Sequence, residues 1–241
     1  MTSPRLLAVS GKMASGKDAV AAAALELTGH APVARINIGD AIRAELDQLL
    51  DTYRTRGHAA LTEHLQALVA AAPAESRPDA LAIADRLDQL FVVALTATPD
   101  LNATMRTNAS RALLQELARL HRLSDPGVWV RRHIERAVPA SQHSVVLTTD
   151  VREIDELLAL AAAGFILVRV VVSPETQRAR LEGRDGIKVD PVTLLHPNET
   201  ALDRLTGSLA DAFDLYIDNN GDLRVAASTL ASLLEERWGS Q

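Results

Sequence analysis

The sequence predicts an α/β fold, a five-stranded, doubly wound parallel sheet carrying an α-helical insertion. Three observations predict it. Short apolar runs rich in Val, Ile and Leu, mostly without polar alternation, are separated by helical stretches, the pattern of strands buried on both faces. The first of these runs passes through a glycine-rich turn directly into an alanine-rich helix. Residues 52–138 show no strand signature at all.

Each element has its own local reason. Strands are expected at 5–10, 33–38, 144–149, 166–172 and 214–218. Helices are expected at 17–28, 40–51, 152–163, 174–182, 200–211 and 222–237. Ser173 followed by Pro174 is a cap and a first-turn proline, and Gly164 ends the helix before Phe165–Val172. Within the insertion, helices are expected at 57–72, 78–95, 107–123 and 126–138, with Pro73, Pro78 and Pro99 in the connections.

Composition narrows the function. The 241 residues suit a single domain spanning 1–241, with 52–138 as a helical, substrate-facing insertion. Hydrophobic residues make up 47% and aromatics only 3%, so the core is aliphatic and rich in alanine. A net charge of −6 argues against binding nucleic acid without specificity. Cysteine is absent, which excludes disulfides and thiolate metal sites. No leader-like stretch precedes the first strand and no apolar run reaches about 18 residues, so a cytoplasmic protein without a membrane partner is expected. A homodimer is compatible with this composition. The seven histidines (His30, His58, His64, His121, His133, His143 and His196) show no metal-ligand spacing and read as surface or loop residues.

The first motif is Gly11-Lys12-Met13-Ala14-Ser15-Gly16-Lys17-Asp18, the G-x-x-x-x-G-K spacing of a phosphate-binding loop. It follows the apolar run Leu6–Val9 and opens a helix at Asp18–Leu27. Backbone N–H groups of such a turn curl around phosphate oxygens, the helix N-terminus adds partial positive charge, and Lys17 adds a point charge. Gly11 to Ala19 are therefore the expected nucleotide-binding residues. Asp18 stands where most such loops have Ser or Thr to ligate magnesium. A carboxylate beside a phosphate is repulsive unless a cation lies between, so Asp18 implies a metal or a neighbouring arginine.

Three further motifs lie at strand ends. Arg35-Ile36-Asn37-Ile38-Gly39-Asp40-Ala41-Ile42-Arg43 closes the second strand and opens a helix, and resembles the hydrophobic-x-x-Gly-Asp-x-x-Arg element of adenylate kinase-like enzymes. Arg43 would hold an acceptor phosphate there, or Asp40 is a helix cap and Arg43 a solvated side chain. Ser144 to Arg152 is an apolar strand ending in Asp150 and Arg152, a Walker-B-like placement in which Asp150 can order Mg²⁺ and Arg152 can pair with phosphate. Asp150 could also cap the helix at 152–163. Arg180-Leu181-Glu182-Gly183-Arg184, with Arg178 and Lys188, matches the R-x-x-G-R entering a lid, here the lid-like segment 178–199. Guanidinium groups on such a loop can neutralise a transferring phosphoryl group, while basic residues at a helix end also suit its dipole.

Together these motifs resemble the phage-type deoxynucleoside monophosphate kinases, within the P-loop nucleoside monophosphate kinases, and more distantly the animal-type phosphomevalonate kinases. Ser10 to Asp18 matches their S-G-x-x-x-S-G-K-D loop, in which the aspartate is typical, and Asp150-Val151-Arg152 matches their D-x-R. Arg111-Ala112-Leu113-Leu114-Gln115-Glu116-Leu117 followed by Trp129-Val130 matches the R-x-L-(L/M)-Q-x-L and Trp-Val elements of the phage family, with Ala118 in place of a usual glycine. Between Asp51 and Met105 nothing matches.

The resemblance implies a P-loop NTPase fold with a helical insertion and a short lid, and transfer of the γ-phosphoryl of ATP to a small phosphorylated acceptor, a (deoxy)nucleoside monophosphate. ATP and Mg²⁺ are the implied cofactors, with Asp18 and Asp150 acting on the metal. Lys17, Arg152, Arg180 and Arg184 would stabilise the transferring charge; Asp40, Arg43, Arg111, Trp129 and Arg152 would contact the acceptor, although Trp129 reads equally as a core residue. A kinase of another small metabolite, and a nucleotide-binding module without turnover, are the competing readings.

Overall fold

The computed structural model describes residues 4–105, 107–185, 201–205 and 211–239, the side chains of Arg184, Asp185 and Arg204 excepted. The chain divides into two compact units. One comprises Met1–Asn37 with His133–Gln241; the other is Ile38–Arg132.

The first unit is an α/β sheet. Its strands are β1 (Leu6–Ser10), β2 (Val33–Arg35), β3 (Val145–Thr148), β4 (Ile166–Val171) and β5 (Leu215–Asp218). They lie in the order β2-β3-β1-β4-β5, every neighbouring pair parallel. β1 is central and buried along its whole length, which is why its residues are apolar on both faces. Leu6 stands opposite Val146 and Leu7 opposite Ile166. Because the chain leaves β1 for the far edge and returns to its other side, the carboxyl end of β1 is the switch point where such sheets form a crevice.

Helix α1 (Lys17–Thr28) begins and ends on glycines, Gly16 at φ 81° and Gly29 at φ 68°. It buries Val20, Ala21, Ala24 and Leu25 in the same core as Ala226, Leu230, Ala231 and Leu234 of the last helix, α9 (Leu223–Trp238). Small residues on both faces let the two helices approach closely, ridge into groove. Between them in sequence, α7 (Ile154–Ala162) ends before Gly164 at φ 84°, and α8 (Pro174–Asp185) starts as expected, Thr176 N–H donating to the Ser173 Oγ cap at 3.1 Å.

The second unit is helical. It holds α2 (Ile38–Arg56), α3 (His58–Ala71), α4 (Arg77–Ala97), α5 (Asn108–Ser124) and the start of α6 (Val128–Ala140). Leu46, Leu50, Leu61, Leu87, Phe91, Leu113 and Leu117 fill its core. Thr107 caps α5 reciprocally: its Oγ1 accepts from Ser110 N–H at 3.0 Å and Ser110 Oγ accepts from Thr107 N–H at 3.2 Å.

Several expectations need correction. The second strand stops at Arg35, not residue 38, because Ile38 opens α2 with its side chain buried; Ile36 still donates its N–H to Leu147 O at 3.1 Å. Asp40 is accordingly not a cap but lies within the first turn of α2. Nor does Asp150 cap the helix after β3: α7 is opened by a capping box of Glu153 with Glu156. Of the helix expected at 200–211, the described part, Ala201–Arg204, is a 3-10 turn. Among the described residues, no helix is long and apolar enough to cross a membrane.

Candidate functional site

At the carboxyl end of β1 the backbone turns through Gly11–Gly16 into α1. Ala14 and Gly16 both adopt left-handed angles, φ 58° and 81°, which folds successive peptides into a tight concave turn. Ser15 N–H closes it onto Lys12 O at 3.1 Å. A Cβ on Gly11 would stand 2.8 Å from Val170 O, and one on Gly16 would fall onto Asn219 Nδ2, so neither glycine can be replaced without moving the turn. No side chain caps the N-terminus of α1, which leaves its first-turn dipole available to an anion. Lys17 Nζ lies 3.5 Å from Lys12 O, folded back over the turn.

Three side chains hold this turn from the far side of the sequence. Gln177 Nε2 donates to Met13 O at 2.9 Å, Asn219 Nδ2 to Ser15 O at 2.7 Å, and Arg180 Nη1 to the same oxygen at 3.3 Å. Arg180 Nη2 also donates to Asn219 O at 2.7 Å. The turn's carbonyls are thus tied to α8 and to the end of β5. The guanidinium of Arg180, expected to stabilise transferring charge, here donates to main-chain carbonyls at the turn. Two buried atoms here, Ser15 Oγ and Asn219 Oδ1, find no hydrogen-bond partner among the described residues, an expensive state unless something else supplies one.

Asp18 faces the ends of β2 and β3. Its Oδ1 accepts from Arg35 Nη1 at 2.8 Å and from Thr149 Oγ1 at 2.9 Å. Thr149 is in turn fixed by its own N–H, which donates to Asn37 Oδ1 at 3.0 Å. Arg35 is the arginine partner that the sequence allows for Asp18. Asp150 and Arg152 follow on the same loop, both partly buried, with Arg152 N–H donating to Glu156 Oε2 at 2.9 Å. The structure therefore brings together Gly11–Ala19, Asp150 and Arg152 at one end of the sheet and adds Arg35 and Thr149. Among the described residues, no group of three or more His, Asp or Glu is arranged to hold a metal ion.

A second charge cluster borders the turn. Arg169, nearly buried in the middle of β4, donates through Nη1 to Ser10 Oγ at 2.8 Å and through Nη2 to Asp203 Oδ1 at 2.7 Å. Asp203 also pairs with Lys12 of the turn at 2.5 Å. A buried guanidinium is tolerated because both ends find acceptors. Arginine within a strand of this apolarity carries no motif, and sequence reasoning passed over it.

The expected acceptor residues Asp40, Arg43, Arg111 and Trp129 belong to the helical unit. Arg43 Nη1 pairs with Asp40 Oδ1 at 2.9 Å along one face of α2, and Arg111 is exposed on α5. Trp129 is 1% exposed. Its Nε1 donates to Ala118 O at 3.2 Å, the His121 ring meets it edge-on, and the Arg132 guanidinium lies 5.1 Å from its centroid. It is a core residue, which corrects the expectation that it stacks a base. Beneath it sits Glu45, which accepts from His121 Nε2 and Arg132 Nη1, both at 2.5 Å. Burial pushes the Glu45 carboxyl up, but the hydrogen bonds from His121, His64 and Arg132 outweigh it and hold it far below the usual carboxylate range.

Two histidines are fully buried: His30, which does lie in a loop, and His133, which lies on α6 and corrects the expectation of a surface or loop residue. His133 Nε2 lies 3.1 Å from Thr148 Oγ1, and His30 packs edge-on against Trp238. The Arg184 side chain, Lys188 and His196, with residues 186–199 of the expected lid, lie outside the described residues.

No family model matches the chain and no curated protein matches it by sequence. Among solved structures it is similar to one titled "Crystal structure of TT1252 from Thermus thermophilus", with 20% identity over 97% of each chain and a TM-score of 0.42. At that level of similarity nothing is transferred from that protein to this chain.

Proposed function

We propose that this chain is an ATP-dependent phosphotransferase of the P-loop class, moving the γ-phosphoryl group of ATP to a small phosphorylated acceptor, best read as a (deoxy)nucleoside monophosphate. The observation that carries the reading is the concave, left-handed turn Gly11–Lys17 at the switch point of an all-parallel sheet, opening an uncapped helix. Backbone N–H groups, the helix dipole and Lys17 would hold the β and γ phosphates. The buried Ser15 Oγ supplies one more polar group that a ligand could satisfy.

The carboxylate of Asp150, on the loop after β3, is an oxygen donor that suits a hard cation such as Mg²⁺. Magnesium bound with the nucleotide would neutralise phosphate charge; the chain's own groups do the rest. Arg152, on the loop after β3, would pair with phosphate oxygens. An oxygen of the acceptor phosphate attacks the γ-phosphorus, the bond to the β–γ bridging oxygen breaks, and ADP leaves. That acceptor is already an anionic nucleophile, so no general base is needed, and positioning with charge stabilisation supplies the catalysis. Arg43 and Arg111 remain the residues proposed to orient the acceptor.

One observation favours a second reading, a nucleotide-binding module without turnover: Arg180, one of three arginines expected to stabilise transfer, is engaged by the turn itself and by Asn219. Incubation with Mg-ATP and a panel of nucleoside monophosphates and phosphorylated metabolites, read by mass, tests the two. Appearance of a diphosphate with matching ADP supports the transferase. ATP binding without transfer to any acceptor supports the module, and absence of ATP binding refutes both.

A further inference from the structure

We propose that Asp18 is a positioning residue for Arg35, not a metal ligand, and that Arg35 is the second phosphate-binding cation of the turn after Lys17. The proposal rests on the phosphate-site reading above and deepens it.

The argument starts from charge. A carboxylate one residue into the helix that should receive an anion opposes that anion unless it is paired. Here it is paired twice, by Arg35 at 2.8 Å and Thr149 at 2.9 Å, and both bonds converge on the same oxygen, Oδ1. Three elements meet at this point: Asp18 from α1, Arg35 from the last position of β2, and Thr149 from the residue after β3. Thr149 is 5% exposed and further pinned through Asn37, so the acceptor end of the pair is rigid. Arg35 is not. Its side chain remains 49% exposed, and among the described residues its guanidinium is bonded to Asp18 alone. A guanidinium carries five donors in a planar fork. One anchors on Asp18, and the remainder stand open at the carboxyl edge of the sheet, beside the turn whose own cation is Lys17. The sheet places the guanidinium there because β2 and β3 run parallel in the register Arg35 opposite Leu147, one residue short of Thr148 and two short of Thr149. The aspartate thus exchanges the magnesium-ligating hydroxyl common in such loops for an arginine tethered at one end.

A bland surface ion pair of the same geometry would contribute little and do nothing for a ligand. The two readings separate in an equilibrium titration with ATP, performed in EDTA and in excess magnesium, on Asp18→Asn, Asp18→Ala, Arg35→Ala and the Asp18 variants in the Arg35→Ala background. Asparagine and alanine both remove the charge, but only asparagine keeps an oxygen that accepts from Arg35 and Thr149. The expected result is that Asp18→Asn binds ATP about tenfold more tightly than Asp18→Ala in EDTA, the worth of one charge-assisted hydrogen bond. That gap should close once Arg35 is alanine. If Asn and Ala bind alike in EDTA and both lose only the contribution of magnesium, Asp18 is a metal ligand and the proposal is overturned. If Arg35→Ala leaves ATP binding unchanged while Lys17→Ala weakens it, this proposal fails and the phosphate site stands. If the wild-type chain binds no ATP, both fail together.

Discussion

Replacing Arg180 by alanine separates a structural from a chemical arginine. Its guanidinium spans two carbonyls, Asn219 O at 2.7 Å and Ser15 O at 3.3 Å. Deleting it removes one good hydrogen bond and one long one from a partly buried position. Ser15 O keeps its bond from Asn219 Nδ2 at 2.7 Å, whereas the bond to Asn219 O is lost outright. The net cost is about 2 kcal/mol, which for a unit of this size lowers Tm by roughly 4–8 °C. Arg180→Lys should recover little, because a single ammonium cannot bridge two carbonyls that a planar fork spans. Urea and thermal unfolding, each followed with and without ATP, measure this. The reasoning is refuted if Arg180→Ala has wild-type stability and ATP affinity but has lost phosphoryl transfer. That outcome would return Arg180 to the role of a charge-stabilising residue.

Other perturbations have equally definite expectations. Burial, with Arg5 adding to it, holds the His30 pKa below its ordinary 6.5, so the folded chain resists the proton that the unfolded chain accepts; stability is full above about pH 6.5, falls as the pH drops below it, and His30→Phe should flatten that limb of a urea-midpoint profile. Glu45 behaves as a depressed carboxylate: its contribution is fully present above the unfolded value near 4.5 and is lost as pH falls below that, and Glu45→Ala, which strands His121 and Arg132, should cost about 3 kcal/mol at neutral pH by chemical denaturation. Trp129→Phe removes the bond to Ala118 O and should destabilise by about 1–2 kcal/mol while leaving ATP affinity unchanged; a selective loss of nucleotide or acceptor affinity would contradict its place in the core.

What the sequence revealed and what it hid follow from the range of the interactions. The turn was legible because everything that shapes it locally is contiguous: an apolar strand, two glycines, a lysine and a helix start. The ends of α4, α7 and α8 were legible from the prolines, the glycine and the serine cap within a few residues of them. The buttress of the turn was not. Ser15 O is met by Arg180 and Asn219, both more than 160 residues away, and their convergence exists only once β4 pairs with β1 and β5 with β4. Arg180 was therefore read from its R-x-x-G-R neighbourhood, which says nothing of what it touches. The Arg35 pairing is of the same kind. Arg35 was in view as part of a motif, and Asp18 was expected to need a cation, but joining them requires the parallel pairing of β2 with β3. Trp129 was ambiguous because tryptophan serves cores and stacking sites alike; the carbonyl of Ala118 and the enclosure by His121 and Arg132 decide it. The buried histidines were missed since a lone histidine in a polar stretch carries no sign of burial, and His30 is covered by Trp238 from the other end of the chain.

The central claim is that Gly11–Lys17 binds the phosphates of ATP. Calorimetric titration of ATP into the wild-type chain and into Lys17→Ala tests it most directly. Saturable one-to-one binding to the wild type, weakened at least about tenfold in Lys17→Ala by loss of one charge-assisted contact without a matching loss of Tm, is the expected result. Absence of saturable binding by the folded wild-type chain, or equal affinity in both proteins, would contradict the claim.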